Sequence, residues 1–286
     1  MIGPLHGVLA SLLVYVLLCG VAVVTGYGLL RLFRLSTLPR GAVLLAPVAA
    51  LAFWSLTLGI AAQFRLPNKI ASPCVWVASA ALMIAGLRAR AWPGRGDRWL
   101  ALLCASLPVV TMADYFRHGL SDHLGSIAPD GWSYIAAAQY LWEYPRGVAG
   151  GLAPLYEYAS HLSETRHVSY GLLGFLSPLL EPGDTQAVAG LFQAWALFTL
   201  AAAVAFFGIA ARLPTRVVVA VTGLSIVAGW TANLIWTNNF DNQLGLVYMP
   251  ALAGVLGSGR SAAGAPRSSS ADSRPARRTP TPNWPR

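Results

Sequence analysis

Seven stretches of this chain are apolar and nearly uncharged over lengths that suit a lipid bilayer, and one polar segment is set between the fourth and the fifth of them. A membrane-spanning helix takes about 20 mostly apolar residues and seldom carries a charge at its centre. The stretches run from Gly7 to Leu30, Gly41 to Gln63, Ile70 to Leu87, Trp99 to Ala113, Gln186 to Ala211, Val217 to Trp236 and Gln243 to Gly257, the fourth and the seventh being short. None alternates apolar with polar residues, as the strands of a transmembrane barrel would. With 56% hydrophobic and only 11% charged residues, against roughly 25% charged in a soluble domain, the expected fold is all-α. It is a polytopic transmembrane helical bundle of about seven spans, with one large extracytoplasmic loop containing an interfacial helix.

The reading divides the chain into four N-terminal spans (1–113), the polar loop (114–185), three further spans (186–257) and a disordered basic tail (258–286). The first stretch lacks the basic leader and clean small-residue cleavage site of a signal peptide, so it is read as a retained span. Short cytoplasmic connections collect Arg and Lys, and here one set of connections holds Arg31, Arg34, Arg40, Arg88, Arg90, Arg95, Arg98, Arg212, Arg216 and the Arg-rich tail. The opposite set is acidic on balance. The polar loop is therefore expected outside the cytoplasm, with the N-terminus outside and the C-terminus inside, in a bacterial inner (plasma) membrane. A pI near 9.9 then follows from topology and contact with anionic membrane lipid, with no nucleic-acid partner. Cys19, Cys74 and Cys104 share no metal-ligand spacing and are expected to be small buried hydrophobes. Composition turns to Gly, Ala, Ser, Pro and Arg after Gly257, close behind a short apolar stretch, which gives the expectation of a chain interrupted relative to a longer bundle.

Eight of the eleven acidic residues and seven of the ten tyrosines lie between Asp114 and Asp184. Within this segment Pro129 and Asp130 mark a helix start, Asp130 being suited to accept from free first-turn amides, and Pro145 marks the end. Trp132, Ile135, Ala136, Gln139 and Trp142 fall on one face of that helix, as an aromatic-rich helix at a membrane surface would place them. Asp114, Asp122, His123 and Asp130 offer carboxylates for a general base or a divalent metal without matching a ligand pattern. His161, Glu164 and His167 recur every third residue, an order unlike the His-Glu-x-x-His of a zinc helix. Trp236 to Gln243 forms a second outward connection, in which Asn239 and Asp241 are expected to line the same cavity as the polar loop.

A multi-span bundle whose large outer loop carries an Asp just ahead of an aromatic-rich helix resembles the GT-C superfamily of integral membrane glycosyltransferases. The resemblance covers roughly Asp114 to Trp236. Pro129-Asp130-Gly131-Trp132-Ser133-Tyr134 and Tyr140-Leu141-Trp142 carry it most specifically. It implies transfer of a sugar from a polyprenyl-phosphate donor to an extracytoplasmic acceptor, with Asp130 as the base and Asp122 in reserve. By the same implication Arg117, Arg146 and Arg166 meet the donor phosphate, because guanidinium groups bind phosphate bidentately and stay charged. Trp132, Tyr134, Tyr140 and Trp142 stack on sugar or pack on lipid, Asn239 and Asp241 complete the substrate site, and no cofactor beyond a possible divalent metal is implied. The competing readings are a non-catalytic or truncated multi-span protein and a transporter of a lipid-linked saccharide. A transporter is expected to place ionisable residues at mid-membrane, and the apolar stretches hold no Asp, Glu, Lys or Arg in their interiors.

Overall fold

A computed structural model describes residues 4–33, 41–88, 95–120, 129–148, 154–165, 167–180, 184–228, 231 and 240–263. Among these the structure is helical throughout, without strands. The helices are α1 (Pro4–Leu32), α2 (Ala42–Gln63), α3 (Asn68–Leu87), α4 (Arg95–Thr111), α5 (Ala113–His118), α6 (Pro129–Glu143), α7 (Pro154–Thr165), α8 (His167–Leu176), α9 (Ala189–Ala210), α10 (Thr215–Val227) and α11 (Phe240–Ala263). Four of them, in α1, α2, α3 and α9, are long and apolar enough to cross a membrane. With the composition, they mark an integral membrane protein.

The other three expected spans come out differently. Helix α4 is 17 residues long and contains Pro108; at Met112 the backbone leaves helical geometry and restarts as α5. Helix α10 stops after 13 residues, because Ala228 turns to an extended conformation (φ −58°, ψ 143°). Most of the remainder of that expected span lies outside the described residues. Helix α11 begins at Phe240, three residues early, and continues past Gly257 to Ala263, into the segment expected to be disordered; residues 264–286 lie outside the described ones. The described residues of the polar segment supply most of α5 and all of α6, α7 and α8.

Helix α9 is the axis of the bundle. It is buried on nearly every side and packs against α1, α2, α4, α8, α10 and α11, whereas α1 and α3 leave most of their apolar surface uncovered by protein. Beside it, α1 packs on both α2 and α3 so closely that backbones touch. A Cβ placed on Gly26 would stand 1.7 Å from the Ala46 carbonyl oxygen, and one on Gly28 2.0 Å from that of Leu82. Only glycine permits this approach, the device by which membrane helices gain dispersion contact where lipid offers little hydrophobic drive.

Aromatic residues fill the space between α2, α3, α8 and α9. Trp54 lies 5.4 Å from Trp195 and 5.2 Å from Phe175 between ring centres, and its indole donates to Ser79 Oγ at 2.9 Å. Trp76 stacks on Phe175 at 4.5 Å. Cys19 and Cys104 are buried as expected, but Cys74 is exposed: it sits on α3 beside exposed Ile70 and Val77, on the outer surface of the bundle.

Hydrogen bonds sort the helix ends. Leu120 N donates to Ser11 Oγ (2.9 Å) and Asn68 Nδ2 to the Gly171 carbonyl (3.1 Å), so the starts of α1 and α3 meet the polar helices. At the opposite end Gly41 N donates to Asp97 Oδ2 (3.1 Å), joining the starts of α2 and α4.

Candidate functional site

Helix α6 is bounded as its prolines dictate. Pro129 opens it, tolerated there because a first-turn amide has no intrahelical acceptor; it ends at Glu143, two residues before Pro145. Its buried face carries Tyr134, Ala137, Ala138 and Leu141, while Trp132 on the other side is 47% exposed. Trp132, Ile135, Ala136, Gln139 and Trp142 form the partly covered flank. The buried face packs on α8, an apolar helix whose Tyr170, Leu172, Leu173, Phe175 and Leu176 are all inaccessible. The polar segment is therefore anchored in the bundle through α8.

Where α6, α8 and the start of α11 meet, a carboxylate is held by two hydroxyls. Tyr134 Oη donates to Asp241 Oδ2 at 2.9 Å across 107 residues of sequence, and Ser169 Oγ donates to Asp241 Oδ1. Asp241 lies in the first turn of α11, where the helix dipole favours negative charge, and it is partly exposed. The Tyr134 ring is edge-on to Tyr170 (5.2 Å) and Phe240 (5.1 Å), and Phe240 to Phe192 of α9 (5.0 Å). Both carboxylate oxygens are thus oriented by rigid elements. The carboxylate is partly exposed, so solvent reaches the edge of this cluster.

At the other end of α6 a second polar group forms. The hydroxyl of Tyr140, a fully buried residue, accepts from Val148 N at 3.0 Å and shares its one proton between the carbonyls of Pro145 and Val148, each at 2.8 Å, which fastens the turn after the helix. Its ring stacks on Tyr144 at 5.6 Å, and Tyr144 meets Tyr156 of α7 edge-on at 5.6 Å. Tyr156 Oη reaches Glu143 Oε2 (3.5 Å), and Gln139 Nε2 donates to Glu143 Oε1 (3.3 Å). Burial, and then the charge of Glu143, raises the Tyr156 phenol above its ordinary value. Arg146 donates to the Glu164 carbonyl, so part of its guanidinium joins the α6–α7 turn to α7.

Of the residues singled out from sequence, Tyr134 and Asp241 are brought into direct contact. Tyr140 and Arg146 belong to the second group, Trp132 and Trp142 to the open flank of α6, and Arg117 is exposed at the end of α5. Asp130 occupies the first turn of α6, one turn before Tyr134; its side chain lies outside the described residues, as do Asp122, Arg166 and Asn239. His161 and Glu164 are exposed on α7, the His167 side chain again lies outside the described residues, and no three metal-ligating side chains converge among those described. Ser169 was not foreseen. Its one sequence signal is the apolar run that follows it, which marks a buried helix on which a serine needs a partner. No family model, curated protein or solved structure matches this chain.

Proposed function

We propose that this protein is a membrane glycosyltransferase of GT-C type, moving a sugar from a polyprenyl-phosphate donor to an acceptor hydroxyl on the extracytoplasmic side of a bacterial inner membrane. The observation that carries the reading is the Tyr134–Asp241 hydrogen bond, because it joins the helix whose first turn holds Asp130 to the start of α11 at one polar end of the bundle. In this scheme seven spans enclose the site, the N-terminus is outside and the C-terminus cytoplasmic.

The chemistry is a displacement at the anomeric carbon. Asp130 accepts the acceptor's hydroxyl proton as its oxygen forms a bond to that carbon, while the bond to the lipid phosphate oxygen breaks and the lipid phosphate departs with the electron pair. General-base help of this kind contributes 10²- to 10⁴-fold. Arg117 and Arg166, with the free donors of Arg146, face the phosphate; Asp241 and Asn239 orient acceptor hydroxyls; Trp132 and Trp142 offer surfaces to sugar or lipid. Asp130→Asn is expected to abolish sugar transfer from a radiolabelled polyprenyl-phosphate sugar while the protein accumulates in membranes as before. Transfer at the unsubstituted rate would refute the assignment.

A further inference from the structure

The turn between α2 and α3 holds two cations where the backbone around them favours other residues. Arg65 adopts a left-handed conformation (φ 54°), with its amide bonded to the Ala62 carbonyl and that of Leu66 to Ala61. This is a helix-closing geometry that glycine adopts without strain and an L-residue does not. Lys69 stands in the first turn of α3, which has no acidic residue and whose dipole disfavours positive charge. Lys69 is also the one lysine of the sequence, against nineteen arginines. Sites where a chain sets aside its local preferences are where function is expected.

The surroundings identify the ligand chemistry. Residues 64–67 connect two helices long enough to span a membrane, so the turn lies at the bilayer surface. Phe64 (74% exposed), Leu66 and Ile70 project around the cations, apolar groups that lipid covers. Arg65 and Lys69 are exposed, and neither side chain has a hydrogen-bonded or ionic partner among the described residues. Asn68, between them and the bundle, donates to Gly171 of α8, two residues from Ser169.

We propose that Arg65 and Lys69 bind the phosphate of a membrane lipid, at the end of the bundle that carries the Asp241 cluster. An arginine supplies a planar fork and a lysine a compact charge, a pairing that suits a phosphate. The proposal stands apart from sugar transfer, since it concerns lipid binding alone.

Arg65→Gly combined with Lys69→Gln tests it, because glycine relieves the backbone at position 65 and the protein is expected to melt no lower than the original. Native mass spectrometry would follow retention of polyprenyl phosphate and, separately, of phosphatidylglycerol. Arg212→Gly serves as control, as Arg212 has the same left-handed geometry (φ 59°) after α9, at the opposite end. Loss of charge-assisted bonds predicts about tenfold weaker retention in the double variant. A loss for both lipids supports a general lipid-phosphate site; a loss for polyprenyl phosphate alone supports it and names the source. Undiminished retention, or an equal loss in Arg212→Gly, overturns it. Amine labelling gives a second reading: lipid phosphate should protect Lys69, and unchanged labelling counts against the site.

Discussion

Two regions of this bundle are joined by opposite means. Along the seam of α1 with α2 and α3, glycines bring backbone against backbone, Gly26 to Ala46 and Gly28 to Leu82. At the polar end, α6, α8 and α11 meet through side chains, with Tyr134 and Ser169 both donating to Asp241. The seam has no room to change, whereas the polar cluster is partly open to solvent. The difference separates roles: the seam holds the fold, and the cluster holds groups that can exchange one hydrogen-bond partner for another.

The largest effect is expected where the seam is broken. Gly26→Leu would put its Cβ inside contact distance of a carbonyl oxygen that belongs to the α2 backbone and has no freedom to withdraw. Displacement of the helix pair should exceed about 4 kcal/mol, the exceptional end of single substitutions. The expected result is loss of the monodisperse species in detergent size-exclusion chromatography. A Gly26→Leu protein that elutes and melts like the original would remove the seam from the account of stability.

Breaking the polar end should cost less and should leave the fold in place. Asp241→Ala removes the acceptor to which the hydroxyls of Tyr134, whose residue is 3% exposed, and Ser169 donate; loss of an acceptor for a buried donor costs about 1–3 kcal/mol. Adding Tyr134→Phe and Ser169→Ala removes those donors and should restore part of the lost thermal stability, a coupling that independent residues would not show. If the triple variant melts at the sum of the separate losses, the three residues do not act as a unit.

This contrast also shows what the chain's own pattern discloses. The spans in α1, α2, α3 and α9 are legible because length and apolarity alone decide them, and α6 because Pro129 and Pro145 bound it. Helix α8 was hidden. Its apolar run is too short to cross a membrane and sits among charges, and a ten-residue helix draws its stability from the partners around it. For the same reason Ser169 was not visible, since its role exists only once α8 is packed beside α11. That Asp241 shares a region with the polar segment could be read from the sidedness of the connections. Its bond to Tyr134 could not, because pairing across 107 residues is set by tertiary packing.

The smallest effect sharpens the comparison within the polar end itself, by asking whether the Tyr140–Tyr144–Tyr156 group is as solvent-responsive as its position outside the spans implies. Burial, followed by the charge of Glu143, raises the Tyr156 phenol above its ordinary value of about 10. Above that value the unfolded chain releases the proton while the folded chain keeps it, so the unfolded state binds fewer protons and stability falls as pH rises. The expected outcome is a melting temperature in detergent that declines beyond about pH 10, with a shallower decline in Tyr156→Phe, which has no proton to lose at that position. The close contacts of Gly26 and Gly28 are made by backbone atoms that do not titrate, so an identical decline in Tyr156→Phe would move the alkaline sensitivity away from the α6–α7 contact and into the body of the bundle.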